Sequence, residues 1–452
     1  MRNSLTLLIA ALLAAPAALV TSAARADDLL QIYDIAVQSD PLLREAEQRL
    51  FATKEIEPQA RALLLPNVAL QGTVDYNNLT LSGRGVPGGN RSDRFVTQGV
   101  QAVVNQTVYN RANWMTLKQT GDTIAQAEAQ YRNTQIELMV RTTQAYFNVL
   151  QAADAVTVSE ALVRADERQL EQSKQRFEVG LVAITDVNDS QASYDRSKAN
   201  LITAKRTLDN AWEALRVIVG PLNVPLARLG DTLPLSPPEP NDVQAWADSA
   251  RRNNFGIIAS TEAVAAAKVQ IEIAKSGFYP TVGLQAGYDI ARSGAENNTD
   301  SNTAFVGLTL NVPLYQGGAV VSQTRQAGYN FRAAQDQLDQ TRRLVDQQVK
   351  DAFRGIVSSI EDVKARQAAV VSARSSLEST EAGLEVGTRT QVDVLNAQRQ
   401  LFQAEFDYLS SRYTYIINGV KLHQATSTLS REVLAKGNAW LKPSDLVPPP
   451  AY

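Results

Sequence analysis

The chain has 452 residues, a net charge of −3, 44% apolar residues and no cysteine. That length allows two or three ordinary domains with real cores. The balanced charge argues against a nucleic-acid partner, and no disulfide can hold the fold. Residues 1–26 read as a secretory signal peptide: Arg2, an apolar run over residues 5–20, then Ala24-Arg25-Ala26 ahead of the cleavage point. No cysteine follows that point, so no lipid anchor is expected on the new N-terminus. Beyond it no apolar run of about 18 residues remains to cross a membrane as a helix. Two classes stay open: a soluble periplasmic or secreted protein, and a β-barrel membrane protein, whose strands register weakly in hydropathy.

A short helix is expected over residues 28–38. Asp40 then serves as N-cap and Pro41 as first helical residue of a helix to about residue 64, kinked at Pro58 and ended by Pro66. Residues 67–76 alternate, with Val68, Leu70, Val74 and Tyr76 against Asn67, Gln71, Thr73 and Asp75, which is a strand. Residues 77–94 are rich in glycine and polar groups and read as a loop. A second alternating strand covers 95–109. A proline-free helix over 113–176, about 95 Å long at helical rise, leads to the tip FEVGLVAITDV, and a second helix over 186–219 returns from it.

Residues 220–240 carry six prolines and join two halves. The second half repeats the first: a helix over 243–276, a strand over 281–290, a polar loop over 292–302, a strand over 305–315 and a long helix over 319–383. In that helix Ala327, Phe331, Ala334, Leu338, Thr341, Val345, Val349, Ala352, Ile356, Ile360 and Val363 form a seam with a mean step of about 3.6, which lets it run nearly straight beside its neighbours. The second tip, LEVGTRTQVDV, returns the motif of the first about 207 residues later, and a helix over 390–429 follows. The expected organisation is a first repeat over 27–219, a Pro-rich linker over 220–242, a second repeat over 243–430 and an extended or disordered tail over 431–452.

Each strand is about ten residues long, the length that crosses a bilayer when tilted, with one apolar and one polar face, as a water-filled barrel requires. Tyr76, Phe95, Tyr109, Tyr288, Phe305 and Tyr315 flank the strands where an interfacial girdle would sit. A soluble sandwich would show the same alternation. Four strands cannot close a barrel, and an open edge is forbidden in lipid, so spanning strands must be pooled from several copies. If the strands span, the fold class expected is an α+β membrane protein, part β-barrel and part α-barrel, built as a homo-oligomeric tube with two internal repeats.

Four stretches, AYFNVL (145–150), RFEVGLVAITDV (176–187), VPLYQGG (312–318) and VGTRTQVDVLNA (386–397), resemble the TolC-like outer-membrane channel family of type I secretion and multidrug efflux. The likeness covers essentially the whole chain beyond the signal peptide. It implies a homotrimer in the outer membrane of a Gram-negative bacterium: a twelve-stranded barrel on a twelve-helix periplasmic conduit. An equatorial belt would come from the Pro-rich linker and the C-terminal region. It also implies a passive exit duct working with a periplasmic adaptor and an inner-membrane ABC or proton-driven transporter. The alternative is a soluble periplasmic coiled-coil adaptor, which would not use amphipathic strands. No catalytic set, metal-ligand spacing or phosphate loop is visible, so neither an enzyme nor a cofactor is expected, and His423 reads as a surface or belt residue.

By the same resemblance the tips form the closed periplasmic entrance. Asp393 falls on the first of two acidic rings, and Asn396 replaces the second acid. Arg389 matches the arginine that latches the inner coil to the neighbouring hairpin, with Asp186 and Thr185 as its partners. Leu384 replaces the tyrosine of that network. The adaptor would meet Val179, Gly180, Leu181, Val386, Gly387 and Thr388. Three converging copies of Asp393 would repel one another, and an Arg389–Asp186 latch bond would be worth about 1.5–3 kcal/mol. A local reading competes: Thr390 with Asp393 has capping-box spacing, and Thr185 or Asp186 could cap the following helix.

Overall fold

The computed structural model describes residues 28–82, 91–294 and 300–450. The expected signal peptide and parts of the loops beyond both strand pairs lie outside the described residues. Helix α1 (Leu29–Ser39) opens on a capping box between Asp28 and Gln31. Asp40 is extended at φ −64°, ψ 120°, closes α1 and caps α2 (Pro41–Lys54) by accepting from the Leu43 N–H at 2.7 Å. The kink expected at Pro58 falls at Glu55, a single residue between α2 and α3 (Ile56–Ala62) that itself stays helical at φ −70°, ψ −10°. Pro58 offers no N–H to the Lys54 carbonyl and its ring crowds that oxygen.

Strands β1 (Asn67–Leu81) and β2 (Arg91–Tyr109) extend into the region expected as a loop. Asn77, Asn78, Leu79 and Thr80 pair with Phe95, Arg94, Asp93 and Ser92. The backbone ladder persists where alternation no longer signals it. Helix α4 (Arg111–Glu178) has 68 residues, a rod of about 100 Å. Helix α5 (Ile184–Val219) stops at Gly220, whose φ is +79°, and a short strand β3 (Leu226–Leu229) follows.

In the second half the single helix expected over 243–276 is two, α6 (Val243–Asn253) and α7 (Phe255–Lys275). Asn254 breaks it at φ −67°, ψ 120°, the same extended conformation as Asp40. The two joints are anchored differently: Asp40 receives both Arg141 terminal nitrogens at 3.0 and 3.1 Å, whereas Asn254 donates to the Ala425 carbonyl at 2.9 Å. Then come β4 (Thr281–Ser293) and β5 (Asp300–Asn311). β5 ends four residues earlier than expected because Pro313 lacks the N–H a ladder needs. Helices α8 (Ala319–Glu385) and α9 (Gln391–Ala425) form the second hairpin, with α10 (Arg431–Asn438) and β6 (Leu441–Val447) after it.

The four long strands pair antiparallel in the order β1-β2-β4-β5, and β3 pairs with β6. Register aligns the four alternations. Val68, Val104, Ala286 and Val306 form one row across the sheet, and Gln71, Gln101, Asp289 and Thr303 form a row of the opposite face. The apolar face is bare: Val68 is 71% exposed, Leu70 76% and Val306 76%. Phe95 and Phe305 depart from the expected girdle. They sit on the polar face, where the Phe305 ring lies where a Cβ on Gly287 would come within 2.7 Å. An aromatic over a strand glycine is a device for holding a curved sheet together. Among the described residues both outer edges of the sheet, on β1 and β5, are unpaired.

The core sits at mid-height, where Tyr146, Phe147 and Leu150 of α4 meet Trp212 and Leu215 of α5, Leu226 of β3 and Leu422 of α9. Strand β6 shows that part of the tail expected to be loose is ordered: Leu226 faces Val447 and Leu229 faces Leu441 across the ladder. Every member of the expected α8 seam is buried or half-buried.

His423 belongs to this level. Its Nδ1 lies 3.0 Å from Thr428 Oγ1 and its ring stands edge-on to Trp246 at 5.4 Å. Burial, helped by the Lys436 charge, holds the imidazole below its ordinary value of 6.5. The unfolded chain therefore takes the proton first, so this group's contribution to stability is complete above pH 6.5 and is lost as pH falls through the folded value. Thermal unfolding of the wild type should weaken from about pH 7 to about pH 5, and His423→Gln should flatten that slope. Equal slopes would remove His423 as its source.

Candidate functional site at the paired helical tips

Both long helices end in the same hydrogen-bonded turn. At the first tip Gly180 N–H donates to Phe177 O at 2.9 Å and Leu181 N–H to Arg176 O at 2.8 Å. At the second, Gly387 N–H donates to Leu384 O at 3.2 Å and Thr388 N–H to Gly383 O at 2.8 Å. This is the Schellman ending, with glycine in the left-handed conformation that side chains resist. Gly180 has φ +76° and Gly387 φ +78°, and neither would meet any atom with a Cβ, so conformation alone demands glycine there.

The returning helices start differently. α9 begins with the capping box: Asp393 Oδ2 accepts from the Thr390 N–H and hydroxyl, each at 2.9 Å, and Thr390 Oγ1 accepts the Asp393 N–H at 3.2 Å. The Thr390 N–H first, its hydroxyl next and then the Arg389 charge hold the Asp393 carboxyl below its usual range. At the first tip the N-cap is Ala183, with no side chain to offer. Thr185 and Asp186 thus do not cap α5; they lie inside its first turn. Among the described residues Asp186 has no side-chain hydrogen bond or ion pair, and it is half-buried. The first tip presents an acid with no partner, while the second presents one already held.

Arg389 is exposed and makes no ion pair with Asp186 within one chain. Its Cγ lies where a Cβ on Gly383 would come within 2.6 Å. Gly383 was not singled out in the sequence, yet its carbonyl accepts the Thr388 and Arg389 N–H groups and the Thr388 hydroxyl. It therefore shapes the turn that carries Arg389. The visible signal was a glycine in the last turn of a 67-residue helix, where the first copy has Arg176. Asn396 is exposed and accepts from the Arg399 guanidinium. Val179, Leu181 and Val386 stand out at 69%, 74% and 75% exposure.

An outer membrane efflux protein family model matches residues 32–221 and 246–428, so it spans both strand pairs and both tips. The chain belongs to the outer membrane efflux protein family. It is 36% identical over 437 residues to outer membrane protein TolC of Escherichia coli strain K12, covering 94% of this chain and 87% of that one. It is 28% identical to the alkaline protease secretion protein AprF of Pseudomonas aeruginosa, over 87% of this chain and 83% of AprF. The solved CmeC outer membrane channel of Campylobacter jejuni shares the fold, with a TM-score of 0.77 at 15% identity over 91% of this chain and 89% of that one. As a family member the chain is a Gram-negative outer-membrane channel protein. Its four-stranded sheet is the membrane part and its helices the periplasmic part. The soluble-adaptor alternative falls with this, since an adaptor would have no use for a bare apolar sheet face.

Proposed function

We propose that three copies of this chain close into an exit duct of a tripartite efflux or type I secretion system. A periplasmic adaptor meets it at the tips, and an inner-membrane ABC or proton-driven transporter supplies the energy. The observation that carries the duct is the sheet: one continuous apolar outer face, one polar inner face and two unpaired edges. Such edges are tolerable in lipid only when neighbouring copies pair them. The secretion role of the relative AprF supports the reading that cargo includes proteins.

In this reading the tips are the periplasmic entrance, with Asp393 and Asn396 facing the axis. Arg389 reaches Asp186 and Thr185 of an adjacent hairpin, which explains why Asp186 is left without a partner in the single chain. Val179, Gly180, Leu181, Val386, Gly387 and Thr388 receive the adaptor.

Planar-bilayer conductance tests the entrance. Arg389→Ala should raise closed-state conductance, since losing a bond of about 1.5–3 kcal/mol shifts the open-to-closed ratio by one to two orders of magnitude. Asp393→Asn should lower cation preference while still offering an oxygen to the Thr390 N–H, so it separates ring charge from helix capping. Unchanged conductance in the first variant, or unchanged selectivity in the second, would sink the corresponding role.

A further inference from the structure

The apolar face of the sheet ends differently at its two ends. Next to the helices it carries Val104, Val282, Leu284, Leu308 and Leu310 beside Gln106. At the far end the same face carries Val74, Gln98, Arg292 and Asp300 in one row, and Arg94 opposite Asn78 two rows beyond. Among the described residues Arg94, Arg292 and Asp300 are the charged residues of that face, and all three are exposed.

The strands rise from the periplasmic helices, so the far end of the sheet is the external one. Val282 and Arg292 are ten residues apart on β4, about 33 Å of strand. At a tilt of about 40° that is about 25 Å of height, the thickness of a barrel's apolar band. Arg292 therefore stands where acyl chains give way to headgroups in the outer leaflet. Arg94 lies on the neighbouring strand, four residues past Gln98, which is the register partner of Arg292. Four residues along and one strand across put the two backbones about 14 Å apart. That spacing suits two guanidinium groups taking two separate anions.

Neither guanidinium is satisfied within the chain. Arg94 has no side-chain hydrogen bond or ion pair among the described residues. Arg292 approaches Asp300 only through Nε, at 3.9 Å, which leaves both terminal nitrogens without a protein partner among the described residues. An arginine on a lipid face is tolerated near an interface, where its stem lies along apolar surface and its head reaches polar groups. Water would accept such a head at either interface, yet both arginines are at the external end. The leaflets of a Gram-negative outer membrane differ in the same sense, because the outer one is built of lipopolysaccharide with phosphates on its sugar headgroup. Guanidinium pairs with phosphate through two parallel N–H···O bonds, which a lysine ammonium cannot form.

We propose that Arg94 and Arg292 form a binding site for the phosphorylated sugar headgroup of lipopolysaccharide, with Gln98 between them as a further donor. Asp300 bounds the site on the β5 side, where its carboxylate repels phosphate. The site lies on the sheet of one chain, so it stands apart from the entrance and from the way copies assemble.

The test uses the purified full-length protein in detergent, titrated by native mass spectrometry with diphosphorylated lipid A, its dephosphorylated form and phosphatidylglycerol. Diphosphorylated lipid A should bind about tenfold tighter than either of the others, and Arg94→Gln with Arg292→Gln should abolish that preference. Asp300→Asn should tighten binding a few-fold, and Arg206→Gln on α5, in the periplasmic part, should leave it unchanged. A wild type that does not distinguish phosphorylated from dephosphorylated lipid A overturns the site, as does a double variant that still does. Phosphatidylglycerol binding as tightly as lipid A would make this a general anionic surface and overturn the assignment to lipopolysaccharide. A second measurement needs neither arginine changed: a photoreactive residue replacing Gln98 in cells should label lipopolysaccharide, while one replacing Leu308 should label phospholipid. Phospholipid alone at position 98 would place the arginines outside the sugar layer and overturn the proposal.

Discussion

Val306→Arg should keep the protein out of the outer membrane, while Thr303→Arg, three residues earlier on the same strand, should not. Val306 ends a row of apolar side chains across the sheet and is 76% exposed. A guanidinium on the lipid face of a membrane barrel costs about 2–4 kcal/mol near the midplane, so about 6–12 kcal/mol if three copies close the barrel. Thr303 lies on the polar face directly across from Asp289, where an added cation meets an opposite charge and water. Outer-membrane fractionation with heat-resistant oligomer on gels reads the difference. Equal insertion of the two variants would mean that the apolar face does not meet lipid. The pair isolates face from position, since both substitutions add the same charge to the same strand.

What could be read from the sequence follows from which forces leave a period. Inside the membrane, lipid and water select opposite side chains at every step, so Val68–Val74 and Val306–Leu310 alternate visibly. Above it both faces of β1 and β2 are wet, and Asn77 to Leu81 reads as a loop although its backbone pairs to the end. Asn254 breaks a helix through one extended backbone conformation and caps α7 by accepting the Ile257 N–H, a cap signal that the helix-forming residues on both sides masked. Strands β3 and β6 are too short to show a period, and they pair the middle of the chain with its C-terminal end. At the tips, the repeated Val-Gly was legible because a left-handed residue has few substitutes. Thr390 and Asp393 were legible as a capping box. The role of Gly383 was not, because it consists of a carbonyl, which every residue has. The buried polar pairs Asp166/Ser173 on α4, Ser190/Ser197 on α5 and Gln391/Gln398 on α9 escape notice for a related reason: polar residues spaced by seven on three separate helices mean nothing until the helices are side by side.

The twin tips share one turn and differ in chemistry. Ala183 stands where the second copy has Thr390, and that single difference frees Asp186 and ties down Asp393. A duplicated hairpin thereby becomes a pair with one donor side and one acceptor side. The proposed latch between neighbouring hairpins uses that asymmetry.

Asp154→Ala should be the most damaging single substitution outside the membrane. Asp154 lies on α4 at mid-height with its side chain 15% exposed. Its Oδ1 accepts from Arg228 of β3 at 2.9 Å, and its Oδ2 accepts from the Tyr413 hydroxyl of α9 at 2.6 Å. Arg228 also approaches Asp445 of β6 at 3.4 Å, and Arg412 donates to the Gly230 carbonyl beside β3. One carboxylate thus joins the long helix, the linker, the tail and the returning helix. Removing it leaves a buried phenol without an acceptor and a largely buried guanidinium with only the longer contact to Asp445, a loss of about 3–5 kcal/mol. Burial raises the carboxyl's pKa although the Tyr413 hydroxyl and the Arg228 charge oppose that rise. For an acid this sign means the fold holds the proton after the unfolded chain has released it. The group is therefore most favourable to the fold below 3.8, and that advantage is lost as pH rises through the folded value. Its charged form at neutral pH is held by Arg228, so Asp154→Asn, which keeps an oxygen for Arg228, should cost about 1 kcal/mol. The double variant Asp154→Leu with Arg228→Met should lose less than the two single changes summed, because it removes both charges together. Thermal unfolding at neutral pH, with limited proteolysis of the linker over residues 220–240, measures all three. A fully additive double variant would mean that the network is not one unit, and the belt would then be held by the β3–β6 ladder alone.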